Sequence, residues 1–266
     1  MRGNVILVLL LIPMITSAQY DSAKRVDVIR FADGVIHTYG APTRWKGKDW
    51  LKLGAIATGT AVLTLADQPV RGFWIDQSSH ALDRINEIGY HYGKPYSAFL
   101  FTGGFYVAGL LFQNNWAKET GLALGTSMLT AGLLEMGLKP LVGRARPSQG
   151  FGNYKTSFMS DAAGFHSFPS GHSTTAFTIS FVLAKRTENI PLKVFFYSLA
   201  GTTAVCRLYS DAHWISDVAF GAMIAWYCSE AAIDRLAVNR FRKIRRNTEL
   251  KVTPYPGGLT FRAIFK

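Results

Sequence analysis

Three short stretches of the chain hold side chains suited to handling a phosphoryl group. The first, 139–147, carries Lys139, Arg144 and Arg146 ahead of Pro147. The second is Pro169-Ser170-Gly171-His172, and the third runs from Cys206 and Arg207 through His213 to Asp217. Lys139, Arg146 and Arg207 can neutralise non-bridging oxygens, and each guanidinium fork can grip two of them. Ser170 and Gly171 stand before an apolar run. A helix starting there aims backbone N–H groups and its dipole at an anion. His213 and Asp217 lie one helical turn apart, so the carboxylate can hold one ring nitrogen and leave the other as nucleophile. His172, on a different element, can protonate a leaving oxygen. The set is cationic and imidazole-based rather than a carboxylate cage, so neither a metal nor another cofactor is expected.

These stretches must be brought together by the elements around them. Six apolar segments, 51–65, 97–112, 120–142, 172–184, 192–208 and 215–233, lack internal proline apart from Pro140. Most exceed strand length, so they are expected as helices. The reactive stretches close the third segment, open the fourth and bridge the fifth and sixth. In an antiparallel bundle those ends share one pole. The expected fold is therefore all-α: an antiparallel six-helix bundle over about 50–235, membrane-associated or multi-pass, with the active site at one pole.

The order and spacing of the stretches resemble the signature of the type 2 phosphatidic acid phosphatase and vanadium-dependent haloperoxidase superfamily. That signature reads K-x6-R-P, then P-S-G-H, then S-R-x5-H-x3-D. Lys139, Arg146 and Pro147 match the first part, Pro169 to His172 the second, and Arg207, His213 and Asp217 the third; Cys206 replaces the usual Ser. The resemblance implies that His213 attacks phosphorus to form a phosphohistidine, with Asp217 orienting it. His172 would serve first as acid and then as base. Lys139, Arg146, Ser170, Gly171 and Arg207 would hold the phosphoryl oxygens.

Other residues receive plainer readings. Glu135, four before Lys139, is expected as its structural ion-pair partner. Arg144 is either a supporting cation behind the site or a lipid-facing one. His166 is expected as a loop histidine, and His37, His80 and His91 receive no role. Trp214, Phe168, Tyr154 and Phe158 either shape the pocket mouth or pack. Cys228 lies 15 residues past His213, roughly 22 Å along a helix, so it and Cys206 are expected as separate free thiols.

Composition narrows the class. The 266 residues carry a net charge of +12, with 48% hydrophobic and 17% charged residues, too apolar for disorder. Two cysteines exclude a disulfide scaffold. The basic excess calls for an anionic partner. Residues 1–18 read as a secretory signal peptide: Arg2, an apolar run over 5–15, then Thr16-Ser17-Ala18 as cleavage site, with an uncleaved anchor as the alternative. Export removes nucleic acid from the partners and leaves a phosphorylated lipid and an anionic membrane surface. Residues 19–49 are polar without a period, and 236–266 form a basic tail ending in a turn and short strand, or in a floppy tail.

If all six segments spanned a membrane, twenty basic residues would share the side of residues 19–49 against eight opposite. The positive-inside rule would then place 19–49 in the cytoplasm, against a cleaved signal. An exported bundle sitting on or partly in a membrane removes the conflict. The expected address is the cell envelope, with the active site facing the periplasm. The expected activity is metal-independent hydrolysis of a phosphorylated lipid of the phosphatidate, phosphatidylglycerophosphate, polyprenyl diphosphate or lipid A type. Alternatives are a broad-specificity periplasmic acid phosphatase, a vanadate-dependent haloperoxidase or a non-catalytic lipid-binding protein.

Overall fold

The structure, a computed structural model, describes residues 17–246, 248–255 and 258–265, with side-chain surroundings described over 26–237. The expected signal peptide falls, apart from its last two residues, outside the described residues. Nine α-helices occur among those described. They are α1 (Ser17–Tyr39), α2 (Gly47–Leu63), α3 (Asp67–Ile75), α4 (His80–Tyr92) and α5 (Pro95–Leu111). Then follow α6 (Asn115–Val142), α7 (Gly171–Arg186), α8 (Ile190–Tyr209) and α9 (Ile215–Arg246). An antiparallel hairpin, β1 (Thr248–Tyr255) with β2 (Gly258–Phe265), closes the chain, Thr248 facing Phe265 and Tyr255 facing Gly258.

The six-helix expectation is thus corrected. Its segments correspond to α2 and α5–α9, while α1, α3 and α4 are additional. Charges interrupt the apolar residues of those three, as in His80-Ala-Leu-Asp83-Arg84-Ile-Asn-Glu87 of α4, so no long apolar run marks them. α1 occupies much of the stretch read as polar and aperiodic. The basic tail begins as a continuation of α9 before the hairpin, so the chain is all-α only in its bundle.

Local chemistry sets the helix ends. Asn114 accepts from Ala117 N at 3.0 Å, Asn189 from Leu192 N at 3.0 Å and Ser79 from Leu82 N at 3.2 Å, each satisfying an orphan donor of a first turn. α6 stops at Gly143, whose φ of +56° is left-handed, and a Cβ there would strike the Ser157 carbonyl. Only glycine ends the helix in this way while the following loop folds back so closely.

Large and small side chains are distributed inside out. Thr120, Thr126, Ser127, Thr130, Thr178, Ser180 and Thr203 are fully buried beside Leu124, Ile179 and Val182. Threonine hydroxyls return to their own helices, Thr130 to the Thr126 carbonyl at 2.8 Å and Thr178 to that of Thr174 at 2.7 Å. Meanwhile Phe99 is 78% exposed, Leu100 68% and Met136 66%. At the end remote from the reactive stretches, Arg30 of α1 grips Glu119 of α6 through two bonds of 2.7 and 2.6 Å. Beside it, Asp27 meets Lys118 at 3.1 Å and Asp33 meets Arg235 of α9 at 2.7 Å.

Candidate active site

The expected pole exists. The end of α6, the start of α7, the end of α8 and the turn into α9 converge there. His213 lies on the turn between α8 and α9 and is buried. Its Nδ1 sits 2.7 Å from the Ser167 carbonyl oxygen. A carbonyl only accepts, so Nδ1 carries the proton and the neutral ring keeps its lone pair on Nε2. Burial pushes the His213 pKa down to about 4, helped by Arg146 and Arg207 and opposed by Asp217. The ring is therefore neutral near pH 7.

Asp217 does not hold the ring as the four-residue spacing suggested. Its Oδ2 is 3.8 Å from His213 Nδ1, beyond hydrogen-bond reach. It accepts instead from Ser167 Oγ at 2.5 Å, Trp214 N at 2.9 Å and Arg144 Nη1 at 2.6 Å. Ser167 thus touches both residues, orienting the ring through its carbonyl and the carboxylate through its hydroxyl. Asp217 stabilises the imidazole only through space. The i,i+4 placement is met, but the loop backbone arrives first.

Arg144 is neither lipid-facing nor exposed: it is 5% exposed and lies between two fully buried carboxylates, Asp217 and Asp67 of α3. Its Nη2 reaches Asp67 Oδ2 at 2.5 Å, and Nε donates to the Asn153 carbonyl at 2.8 Å. Asp67 also accepts from Ser216 N at 3.1 Å and Ser216 Oγ at 2.9 Å. The helix absent from the sequence reading therefore anchors the turn that carries His213. A buried charge is tolerated when paired and hydrogen-bonded, and this network provides both.

The cations expected to bind phosphate differ in how free they are. Arg146 donates to the carbonyls of Ala163, Ala212 and His166 at 3.0, 3.1 and 3.3 Å, with Nη1 3.5 Å from His213 Nε2. Lys139 forms the expected pair with Glu135. A Cβ on Gly171 would lie 2.6 Å from Glu135 Oε1 and 3.1 Å from Lys139 Nζ, so only glycine lets this pair approach the start of α7. Ser170 caps α7 and is fully buried, its Oγ accepting from Ser173 Oγ at 3.0 Å. Arg207, 6% exposed, gives Nη2 to Ser210 Oγ at 2.9 Å. Its Nε and Nη1 are buried without a partner among the described residues, and so is His172 Nε2. Unsatisfied buried donors are costly unless something fills the gap, and here the gap suits an anion.

The remaining expectations divide. Trp214 is buried and donates Nε1 to the Ala145 carbonyl at 2.9 Å, so it packs and does not line a mouth. Phe168 lies against Phe220, whereas Tyr154 and Phe158 are exposed. His166 holds the loop, with Nε2 2.7 Å from the Ser160 carbonyl. Cys206 and Cys228 are buried free thiols. Missed entirely were Asp67, Ser167 and the α4 residue Tyr90, whose ring stacks on His172 at 5.3 Å. Nothing in their local sequence marks them, since each acts through contacts distant in the chain.

Residues 120–238 match the model of the PAP2 superfamily. The chain is 36% identical over 127 residues to the lipid A 1-phosphatase of Rhizobium etli, covering 46% of this chain and 53% of that protein. It is also 36% identical over 127 residues to the lipid A 1-phosphatase of Rhizobium johnstonii, covering 46% and 50%. The match thus spans about half the length of these curated relatives. In fold the chain is similar to the transmembrane PAP2 type phosphatidylglycerolphosphate phosphatase of Bacillus subtilis. That likeness has a TM-score of 0.51 at 20% identity, over 72% of this chain and 96% of the other. All three reactive stretches and the pole where they meet fall inside the residues that match the PAP2 superfamily model.

Proposed function

We propose that the chain is a metal-independent phosphatase that hydrolyses a phosphorylated lipid through a phosphohistidine. The observation that carries this reading is the set of unsatisfied buried nitrogens on Arg207 and His172 beside a neutral histidine whose Nε2 lone pair meets only the distant Arg146 Nη1, at 3.5 Å, among the described residues. His213 Nε2 attacks phosphorus as the P–O bond to the leaving alcohol breaks. Burial and Arg207 push the His172 pKa down to about 3, so the proton enters on the phosphate monoanion and His172 relays it to the leaving oxygen. Nδ1 keeps its proton on the Ser167 carbonyl, and the nearby Asp217 charge offsets the developing imidazolium. His172 then takes a proton from water, whose oxygen attacks the phosphohistidine and returns His213 to its starting form. Arg207, Arg146, Lys139 and the first N–H groups of α7 stabilise the charge on the equatorial oxygens, where preorganised donors matter most.

The lipid half of the proposal rests on the bundle's flanks. Residues 120–134 of α6, 173–184 of α7, 194–206 of α8 and 218–229 of α9 contain no charged residue. Arg186 bonded to Thr120 Oγ1 at 3.1 Å and the Lys185–Glu230 pair align these stretches at one end, and the site aligns them at the other. They form an uncharged belt about 18–22 Å deep, with small and hydroxylated residues inside and large apolar ones outside. That inversion is how helices pack in lipid. α6 is long and apolar enough to cross a bilayer, and a belt of this depth fits a locally thinned one. The leader-like N-terminus supports an envelope address with the pole in the periplasm.

Phosphate release in EDTA, comparing lipid phosphates in mixed micelles with a water-soluble aryl phosphate, tests the reading. Strong preference for a lipid is expected. Equal or better cleavage of the soluble ester would replace it with a broad-specificity acid phosphatase.

A further inference from the structure

α4 is held against the acid histidine by two glycines. A Cβ on Gly89 would lie 2.6 Å from the Thr202 carbonyl oxygen and 2.9 Å from Cys206 Cβ in α8. A Cβ on Gly93 would lie 2.9 Å from both the Cβ and the carbonyl oxygen of His172. Thr203 Oγ1 fastens the approach by donating to the Gly89 carbonyl at 3.0 Å. With α4 this close, the Tyr90 ring lies nearly parallel to the His172 imidazole, at 24°. Arg207 Cζ is 5.6 Å from the centroid of the same ring.

Lys94 follows at the corner between α4 and α5. It is half-buried, and its Nζ sits 4.2 Å from the Tyr90 centroid. No carboxylate pairs with it among the described residues. It also occupies the N-cap of α5 without a side-chain capping bond. A cation there faces the positive end of a helix dipole, an unfavourable position that an anion would reverse. The Tyr90 face accounts for part of its retention. Two cations and a helix N-terminus therefore surround the ring stacked on the residue that protonates the leaving oxygen.

We propose that Lys94 and Tyr90 form a subsite on the leaving side for a second anionic group, carried by the part of the substrate that departs when the P–O bond breaks. The proposal rests on the phosphatase reading and narrows it to esters whose leaving group is itself charged next to the scissile oxygen. In a diphosphate monoester the departing fragment is a phosphate monoester, and its charge would fall on Lys94. In a monophosphate the departing fragment is a neutral alcohol.

The test uses the full chain in mixed micelles with an isoprenyl diphosphate and the monophosphate of the same isoprenyl chain. The wild type is expected to favour the diphosphate in kcat/KM. Lys94→Gln is expected to reduce kcat/KM for the diphosphate by about tenfold or more, chiefly through KM, with a loss for the monophosphate at least about tenfold smaller. Lys94→Arg should restore the preference. Tyr90→Leu should weaken it in the same direction, as a second variant that keeps Lys94. Equal losses on both substrates would overturn the subsite and leave Lys94 as a positioning residue for His172. No loss on either, or a wild type indifferent to the second phosphate, would also overturn it. Failure of the wild type to release phosphate from either ester, or release by His213→Ala at the wild-type rate, would instead defeat the phosphatase reading itself.

Discussion

The two ends of the bundle hold arginines in different states. At the remote end, Arg30 spends both terminal nitrogens on Glu119 and leaves only Nε unmet among the described residues, and Arg235 is closed by Asp33. At the reactive end, Arg207 is just as deeply placed but leaves Nε and Nη1 without partners among the described residues. Both ends belong to the same long helices, so helix formation and packing do not explain the difference. One end is built for its own stability, while the other keeps an incomplete shell of charge, the shell that the proposed phosphoryl substrate would complete.

The largest expected effect is at the nucleophile. His213→Ala should lower phosphate release by about a thousandfold or more while circular dichroism stays unchanged. Retained turnover would sink the phosphohistidine mechanism. Next comes the buried network behind it. Asp67→Ala leaves Arg144 with one carboxylate and should cost about 3–5 kcal/mol, read from denaturant or thermal unfolding in detergent. A cost within ordinary surface range would show that the network contributes little.

The contrast between the ends is sharpened by matched substitutions. Arg30→Met strands Glu119 and should destabilise by about 2–3 kcal/mol. Arg207→Met removes an unsatisfied buried cation and should stabilise by about 1 kcal/mol or be neutral, while abolishing protection by inorganic phosphate. Destabilisation by both to the same degree would erase the distinction. The smallest effect concerns pH. The folded His213 titrates near 4, below its ordinary 6.5. Between those values the unfolded chain binds a proton that the folded chain refuses, so stability should fall as pH drops from 6.5 towards 4. A His213→Asn variant should show a shallower fall in Tm over that window.

Much of the site was legible because its residues sit at fixed spacings on helix ends. Lys139, Arg146, His172, Arg207 and His213 converge as the antiparallel arrangement requires. The partners of those residues were not legible. Asp67 lies on a helix whose apolar residues are broken by Asp67, Gln68 and Arg71, so no periodic run announced it. Ser167 acts through its carbonyl, a group every residue has, and sequence cannot say which carbonyl a ring will meet. The i,i+4 relation of His213 and Asp217 gave proximity but not the competition from Ser167, Trp214 and Arg144 that claims the carboxylate. Helices α1 and α4 escaped for the same reason as α3. Their burial is one-sided and charge-rich, and their places are set by ion pairs or glycine contacts with distant elements.

The anchoring of Ser216 by Asp67 joins positions 149 apart in the chain, and this has a consequence for biosynthesis. At about 5–20 residues per second, α3 leaves the ribosome roughly 7–30 s before the turn that it must hold. For about the first half of that interval Asp67 lacks Arg144 as well as Ser216 and must remain hydrated. An apolar medium would reject it, so α3 stays in contact with water until its partners arrive. The pole is assembled last, when the start of α9 arrives and seals Asp67 beneath it. A nascent chain stopped before that point holds Lys139, Arg144, Arg146 and Arg207 but no His213 fixed among them.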